Sequence, residues 1–157
     1  ISLRRYLHAH PELSFYEVET SACIRNRLVS MGLDDVSVIG DTGVVATIRG
    51  TREGKTILLR ADTDALPIQE TTGLPFQSTV EGVMHACGHD AHTAMLLTAT
   101  KILLDIRSDL AGTVKILFQP AEEIPPGGAV KMRLFLGCSV NPPCSDTGHS
   151  RFAKTTS

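Results

Sequence analysis

Two apolar runs of strand length, each followed by a pair of acidic residues, constrain the fold of this chain more than any other feature. Ile57-Leu58-Leu59 precedes Asp62-Thr63-Asp64, and the run from Val114 to Phe118 precedes Glu122-Glu123. Continuous apolar runs of this length are typical of strands that are covered on both faces. We therefore expect two buried strands whose carboxyl ends each lead into a pair of carboxylates.

Helical and strand-like patterns alternate along the chain, which predicts an α/β fold. Apolar residues recur at helical spacing from Ser14 to Met31 and from His89 to Ile106. Ser14 and Glu17 form a capping-box pattern at the start of the first of these helices, and Gly32 follows its end. The other patterned segments are a helix over Leu3–Leu7 and strands over Val36–Ile39, Val44–Ile48 and Lys55–Arg60. The expected architecture is a three-layer sandwich with a mixed, largely parallel sheet.

Size, charge and cysteine content narrow the class of protein. A chain of 157 residues is one ordinary domain at most, and a net charge of -2 gives no reason to expect nucleic acid or a membrane surface as partner. No apolar run is long enough to span a membrane, and no signal-peptide pattern opens the chain. Four cysteines do not make a disulfide framework, which favours reduced thiols and the cytoplasm. Because residue 1 is Ile rather than Met, we expect either that the chain has been trimmed or that the sequence starts inside a longer protein.

The stretch from His85 to His92 has the composition of a metal site, with three of the six histidines and one of the four cysteines. Gly88 between Cys87 and His89 lets the backbone turn so that both side chains face one ion. A thiolate, an imidazole and a carboxylate together suit zinc best, with manganese, cobalt and nickel as further candidates. Asp90 or Asp62 would hold a ligand imidazole through its second nitrogen. The alternative is a helix start with a core cysteine and solvated histidines.

Three separate segments are expected to converge at one edge of the sheet, because ligands in α/β folds bind beyond the carboxyl ends of strands. Asp62 and Asp64 taken alone are more simply explained as turn-capping acids, with Arg60 as a partner for one of them. Glu122 and Glu123 taken alone are usually a solvated pair. At the end of a buried strand, however, adjacent acids can divide roles, one binding a metal and the other taking a proton from its bound water.

Four motifs carry a resemblance to a known family. The chain resembles the amidohydrolase subgroup of the aminoacylase and carboxypeptidase G type metallopeptidases, which includes hippurate hydrolases, auxin-conjugate hydrolases, N-acetyl-diaminopimelate deacetylases and some thermostable carboxypeptidases. The resemblance extends from Ser2 to Met132. The motifs are Leu7-His8-Ala9-His10-Pro11-Glu12-Leu13-Ser14, Leu59-Arg60-Ala61-Asp62-Thr63-Asp64-Ala65-Leu66-Pro67, Met84 to His92, and Phe118-Gln119-Pro120-Ala121-Glu122-Glu123.

The resemblance implies a zinc-peptidase-like catalytic domain that cleaves the amide bond of N-acyl amino acids or related conjugates through a metal-activated water. Full-length members carry two divalent ions, Zn²⁺ or Mn²⁺, with Co²⁺ or Ni²⁺ as further options. By this resemblance Cys87, His89 and Glu123 are metal ligands and Glu122 is the general base. Asp64 or Asp62 is the acid that supports the geometry of the ligands.

The chain departs from the family after Met132. Residues 133–157 match neither the family's later ligand-bearing segments nor its dimerisation domain, and we expect them to form a poorly ordered tail. The catalytic domain would then be incomplete, lacking two histidine ligands and the segment through which full-length members form homodimers or higher oligomers. This leaves the alternative of a catalytically inactive fragment that binds at most one metal. A Rossmann-like nucleotide-binding module is a third hypothesis, although the chain lacks a phosphate loop.

Overall fold

The structure is a computed structural model and describes residues 1–133. Except for Arg133, the predicted tail lies outside the described residues. Within them, no helix has the length and apolar character needed to cross a membrane. The elements in chain order are α1 (Ser2–Ala9), α2 (Val18–Ser30), β1 (Val36–Ile39), β2 (Gly43–Arg49), β3 (Arg52–Asp62), α3 (His89–Asp105), a 3-10 turn (Arg107–Asp109), β4 (Ala111–Gln119) and α4 (Ala129–Arg133).

The four strands form one mixed sheet in the order β1-β2-β4-β3. The β3–β4 pair is parallel, whereas the β1–β2 and β2–β4 pairs are antiparallel. The predicted α/β class and mixed sheet are confirmed. The expectation of a largely parallel sheet does not hold for the described strands, since two of their three pairs are antiparallel. For β1 and β2 the reason is the short turn between Ile39 and Gly43, because a parallel pair needs a much longer crossover.

The main core lies between the sheet and a layer formed by the longer helices. Alternate residues of β2 and β4 point toward this layer, as the two-residue period of a strand requires. The buried residues of this core include Ile24 and Leu28 of α2, Leu96 and Leu97 of α3, Val44, Ala46 and Ile48 of β2, and Val114, Ile116 and Phe118 of β4. On the opposite face, Val45 and Leu117 pack against Met132 of α4. Among residues 1–133, α4 is therefore the helix that covers this second face of the sheet and forms the third layer.

Strand β3 lies at an edge of the sheet, and most of it is exposed. Ile57 is 51% exposed and Leu58 is 42% exposed, so the prediction that this run is covered on both faces is wrong for the described part of the chain. The apolar run correctly identified a strand but could not distinguish a central position from an edge. Leu59 does pack against the main core.

The two ends of α2 are stabilised differently from one another. The helix begins at Val18 rather than Ser14, and the Glu12 carboxylate accepts hydrogen bonds from the backbone N–H groups of Glu19 and Thr20. The predicted capping box is therefore wrong. The predicted C-terminal glycine is confirmed, since Gly32 has a φ of +87° and donates its N–H to the carbonyl of Val29.

Candidate metal centre

The carboxyl ends of β3 and β4 leave the sheet side by side. Asp62 and Gln119 are register partners at the end of this parallel pair. The backbone N–H and the hydroxyl of Thr63 each donate to the carbonyl of Gln119, both at 3.0 Å. The turn that follows β3 and the turn that follows β4 therefore lie next to each other, as predicted from the two strand-acid patterns.

The third segment reaches the same edge through the start of α3. Gly88 precedes the helix with a φ of +84°, a conformation that glycine adopts without steric cost. His89 is the first residue of α3, and the hydroxyl of Thr93 donates to the carbonyl of Asp62 at 3.2 Å. Gly88 thus allows the sharp change of direction between Cys87 and His89 that the sequence predicted.

Cys87, His89 and Glu123 come together at this edge, each offering one atom that lies within 4.8 Å of the others. The Nε2 atom of His89 is 3.9 Å from Oε1 of Glu123. Nitrogen and oxygen ligands on one tetrahedral zinc ion would be roughly 3.4 Å apart, so a small inward movement would seat an ion. Oε1 of Glu123 is buried without a hydrogen-bond partner among the described residues. These three residues therefore fit a divalent cation.

Asp64 holds the imidazole of His89 in place. The Nδ1 atom of His89 donates to the main-chain carbonyl of Asp64 at 2.9 Å and lies 3.2 Å from its Oδ1. This arrangement leaves Nε2 pointing toward Glu123 and available to a metal. The partner of the imidazole is thus Asp64, and neither Asp90 nor Asp62 takes that place.

The other two aspartates have different partners. Asp62 accepts two hydrogen bonds from the guanidinium of Arg60, at 2.9 Å and 2.6 Å. Asp90 is fully buried and pairs with Arg4 at 2.7 Å and with His8 at 2.8 Å. The alternative that Arg60 neutralises one acid of the Asp62-Thr63-Asp64 motif therefore applies to Asp62.

The contacts between Asp64 and His89 favour the charged forms of both groups. Burial by itself would raise the pKa of Asp64, but the hydrogen bonds that this carboxylate accepts, with the one from His89 foremost, hold the pKa well below its usual range. Burial by itself would lower the pKa of His89, but the hydrogen bonds to Asp64 outweigh it and raise the pKa to about 8. In the metal-free chain the imidazole therefore carries a proton at neutral pH.

The thiol of Cys87 is also protonated in the metal-free chain. Its hydrogen bond to the Glu123 carboxylate, together with burial and the negative charges of Glu122 and Asp64, raises the pKa of Cys87 to about 11. A bound cation reverses this effect because it stabilises the thiolate directly. The same negative charges that disfavour a free thiolate attract a divalent cation.

Glu122 occupies the turn after β4 with its side chain exposed. Ala121 before it has a φ of +49°, and the backbone N–H of Glu123 after it donates to Oδ2 of Asp64 at 3.0 Å. Oε1 of Glu123 lies 3.9 Å from Nε2 of His89, whereas the side chain of Glu122 stays accessible to solvent.

For two residues that contact this site, the sequence pattern predicted a different role. Ser14 and Glu17, predicted as a capping box, instead direct their side chains at the turns that carry Asp64 and Glu122-Glu123. Both are buried, Glu17 completely. The spacing of the two residues is a local signal. It gave no indication that Ser14 contacts Asp64, 50 residues away, or that Glu17 contacts Ala121, 104 residues away.

Behind the site, a buried polar network ties α1 to α3. Nδ1 of His8 lies 2.8 Å from Oδ2 of Asp90, and Nε2 of His8 lies 3.2 Å from Oε1 of Glu70. His85 is buried beside this network, and within the described part of the chain neither of its ring nitrogens has a hydrogen-bond partner. Burial lowers the pKa of His85 to about 4, so its ring is neutral at pH 7.

Comparisons with known proteins show which family the chain is similar to. The sequence profile of the group described as peptidase family M20/M25/M40 matches residues 58–148. An N-acetylcysteine deacetylase of Bacillus subtilis is 53% identical over 128 residues, which cover 81% of this chain and 34% of that protein. An N-acyl-L-amino acid amidohydrolase of Geobacillus stearothermophilus is 50% identical over 132 residues, covering 84% of this chain and 36% of that protein.

A solved structure also matches. It is a Bacillus subtilis protein described as a dinuclear metal binding peptidase from the M20 family, with a TM-score of 0.80 and 50% identity. The match covers 89% of this chain and 38% of that one. The chain therefore spans between about a third and two fifths of the length of these relatives.

Proposed function

Because this chain belongs to peptidase family M20/M25/M40, we propose that it forms part of a metal-dependent amidohydrolase that cleaves N-acyl amino acids or related amide conjugates. The observation that carries the proposal is the convergence of Cys87, His89 and Glu123 at the ends of β3 and β4. The names of the two relatives from Bacillus subtilis and Geobacillus stearothermophilus support an N-acyl amino acid as the substrate class.

Each residue of the site has a defined part in this proposal. Cys87, His89 and Glu123 bind the ion, and Asp64 orients His89 through its Nδ1. A bound divalent cation polarises the amide carbonyl and lowers the pKa of a water molecule. Glu122, whose carboxylate is exposed beside Glu123, accepts the proton of the attacking water and passes it to the leaving amine.

Zinc is the metal that the mixed sulfur, nitrogen and oxygen ligands favour, with manganese as the second choice. The description of the solved relative as dinuclear supports two ions in the whole protein. The described residues contain one group of three ligands, so a second ion would need ligands from outside residues 1–133. A reducing compartment such as the cytoplasm keeps the exposed thiol of Cys87 available for the metal.

The test joins residues 1–132 of this chain to the remainder of the Bacillus subtilis N-acetylcysteine deacetylase, in place of the matching segment of that relative. We expect this chimera to deacetylate N-acetylcysteine. Glu122→Gln should lower kcat by roughly 10²–10⁴-fold, since it removes the general base and leaves the ligands in place. Glu81→Gln, at another exposed glutamate, is the matched control and should leave kcat unchanged.

Undiminished turnover of the Glu122→Gln chimera would remove Glu122 from the mechanism. The alternative of an inactive metal binder is tested by measuring the metal stoichiometry and the amidase activity of the 157-residue chain by itself. One bound zinc ion without amidase activity would favour that alternative for the isolated chain, whereas two bound ions with turnover would exclude it.

A further inference from the structure

The segment between α1 and α2 contacts both turns of the metal site without contributing a ligand. We call residues Ser14–Glu17 the Ser14–Glu17 loop; it lies immediately before the first residue of α2. Two of its side chains are buried and make hydrogen bonds to residues far away along the chain. These side chains are polar groups that the proposed chemistry does not use directly.

Ser14 contacts the acid that orients His89. Its hydroxyl donates to Oδ2 of Asp64 at 2.7 Å, and both side chains are almost fully buried. The same Oδ2 accepts the backbone N–H of Glu123 at 3.0 Å. With Oδ2 held by two donors, the rotation of the Asp64 carboxylate is restricted and Oδ1 stays on the side of His89 Nδ1.

Glu17 contacts the turn that presents the two adjacent acids. Its Oε1 accepts the backbone N–H of Ala121 at 2.8 Å, and its Oε2 accepts the hydroxyl of Thr42 at 2.9 Å. Ala121 has a φ of +49°, a left-handed conformation that costs a residue with a Cβ roughly 1–2 kcal/mol. Surrounding contacts must therefore hold this turn, and the fully buried Glu17 carboxylate is one of them.

The backbone just before the loop is itself attached to the site. The carbonyl of Glu12 accepts the N–H of Ala65 at 2.8 Å, and Leu13 forms a parallel bridge with Ala65. The Glu12 carboxylate also accepts the N–H of Thr20 in the first turn of α2, at 2.7 Å. Ser14 and Glu17 thus extend from a segment that is fixed at both ends.

We propose that the Ser14–Glu17 loop is a positioning element of the metal site, in which Ser14 sets the carboxylate that orients His89 and Glu17 sets the turn that carries Glu122 and Glu123. The inference rests on the proposed metal site and is independent of the substrate. Ser14 and Glu17 are positioning residues, since each acts through another residue rather than on an ion or a substrate.

The test is a Co²⁺ titration of the 157-residue chain, followed by the charge-transfer absorption that a Cys87 thiolate produces on cobalt and by the cobalt d–d bands. Ser14→Ala removes the hydrogen bond to Asp64, and Glu17→Met removes those from Ala121 and Thr42. Each variant should weaken Co²⁺ binding by about 10–100-fold with altered d–d bands. Glu17→Gln keeps an acceptor for Ala121 and a donor for the Thr42 hydroxyl, so it should bind Co²⁺ within about twofold of the wild type.

Thr100→Val is the matched control for the loss of a buried hydroxyl. Thr100 donates to the carbonyl of Leu96 within α3, three helical turns from His89, and the variant should bind Co²⁺ like the wild type. Urea unfolding of each variant establishes that it is folded. If Glu17→Met does not fold, Ser14→Ala decides the outcome.

Wild-type affinity and spectra in the folded Ser14→Ala and Glu17→Met variants would overturn the proposal while leaving the metal site intact. Equal weakening in Thr100→Val would also overturn it, because the effect would then follow stability alone. A wild-type chain that shows no thiolate band with Co²⁺ would instead overturn the metal site itself.

Discussion

His89 is held twice by one residue: its Nδ1 lies 2.9 Å from the carbonyl oxygen of Asp64 and 3.2 Å from Oδ1 of the same aspartate. Main chain and side chain of Asp64 therefore act together on a single ring nitrogen. The opposite nitrogen, Nε2, is directed to Glu123 as a consequence. This relationship makes Asp64, and not the nearby Asp62, the acid on which the geometry of the site depends.

Asp64→Asn is expected to weaken zinc binding by about 10–100-fold. Oδ2 of Asp64 accepts hydrogen bonds from the hydroxyl of Ser14 and the N–H of Glu123, and Oδ1 lies 3.2 Å from Nδ1 of His89, so the amide N–H₂ of asparagine must face at least one of these donors. Asp62→Asn is the matched control, since Asp62 pairs with the exposed Arg60 and should change zinc affinity little. Competition titration with a chromophoric chelator measures both, and a larger effect at Asp62 would contradict this assignment.

Metal binding at pH 7 should release about two protons per ion. The thiol of Cys87, with a pKa of about 11, and the imidazolium of His89, with a pKa of about 8, must both deprotonate to become ligands. Affinity should therefore rise about 100-fold per pH unit below pH 8 and about tenfold per unit above it. Calorimetry in buffers of different ionisation enthalpy measures the release.

The Cys87→Ala variant should release about one proton fewer than the wild type when it binds the ion. An unchanged proton count in that variant would show that the thiol is not a ligand. Affinity that does not change between pH 6 and pH 8 would contradict the deprotonation of His89.

Glu17→Gln should stabilise the metal-free fold at neutral pH relative to the wild type. Burial raises the pKa of Glu17 in the folded chain above its ordinary value near 4.5. As pH rises from that value through the raised pKa, the unfolded chain loses its proton first, so the wild type loses stability while the glutamine variant does not. Urea unfolding at several pH values measures this, and a stability difference that shrinks as pH rises would contradict it.

Gly128→Ala should destabilise the fold and weaken metal binding together. A Cβ at Gly128 would lie 2.1 Å from the carbonyl oxygen of Pro120, so the turn that carries the two glutamates must shift. Gly82→Ala is the control: its Cβ meets no atom within 4 Å, although its positive φ should cost roughly 1–2 kcal/mol. Chemical unfolding and zinc titration of both variants test this, and equal losses would show that the close contact with Pro120 has no effect.

Much of the fold followed from the periodicity of apolar residues. The predicted strand Val36–Ile39 has the observed limits, and the predicted helix from His89 begins at its observed first residue. The side-by-side position of the Asp62 and Gln119 strand ends followed from the rule that parallel strands end at one edge. These features depend on short-range patterns, which a single sequence displays directly.

The sequence did not reveal long-range contacts of residues that also match a local pattern. Ser14 and Glu17 match a capping box, yet burial against Asp64 and Ala121 gives both side chains partners elsewhere. Similarly, the apolar run at Ile57 and Leu58 identified a strand but not its place at the sheet edge, because strand order depends on the whole chain.

The order of the strands has a consequence for biosynthesis. β4 is the last of the four strands along the chain, yet it lies between β2 and β3. A ribosome-bound chain that has emerged only to residue 110 has Cys87 and His89 outside but lacks the strand that would join β2 to β3. Glu123 emerges later still, so the three ligands can be assembled only once the middle of the sheet has been filled. Capture of the ion by these three residues can therefore occur only after β4 has entered the sheet.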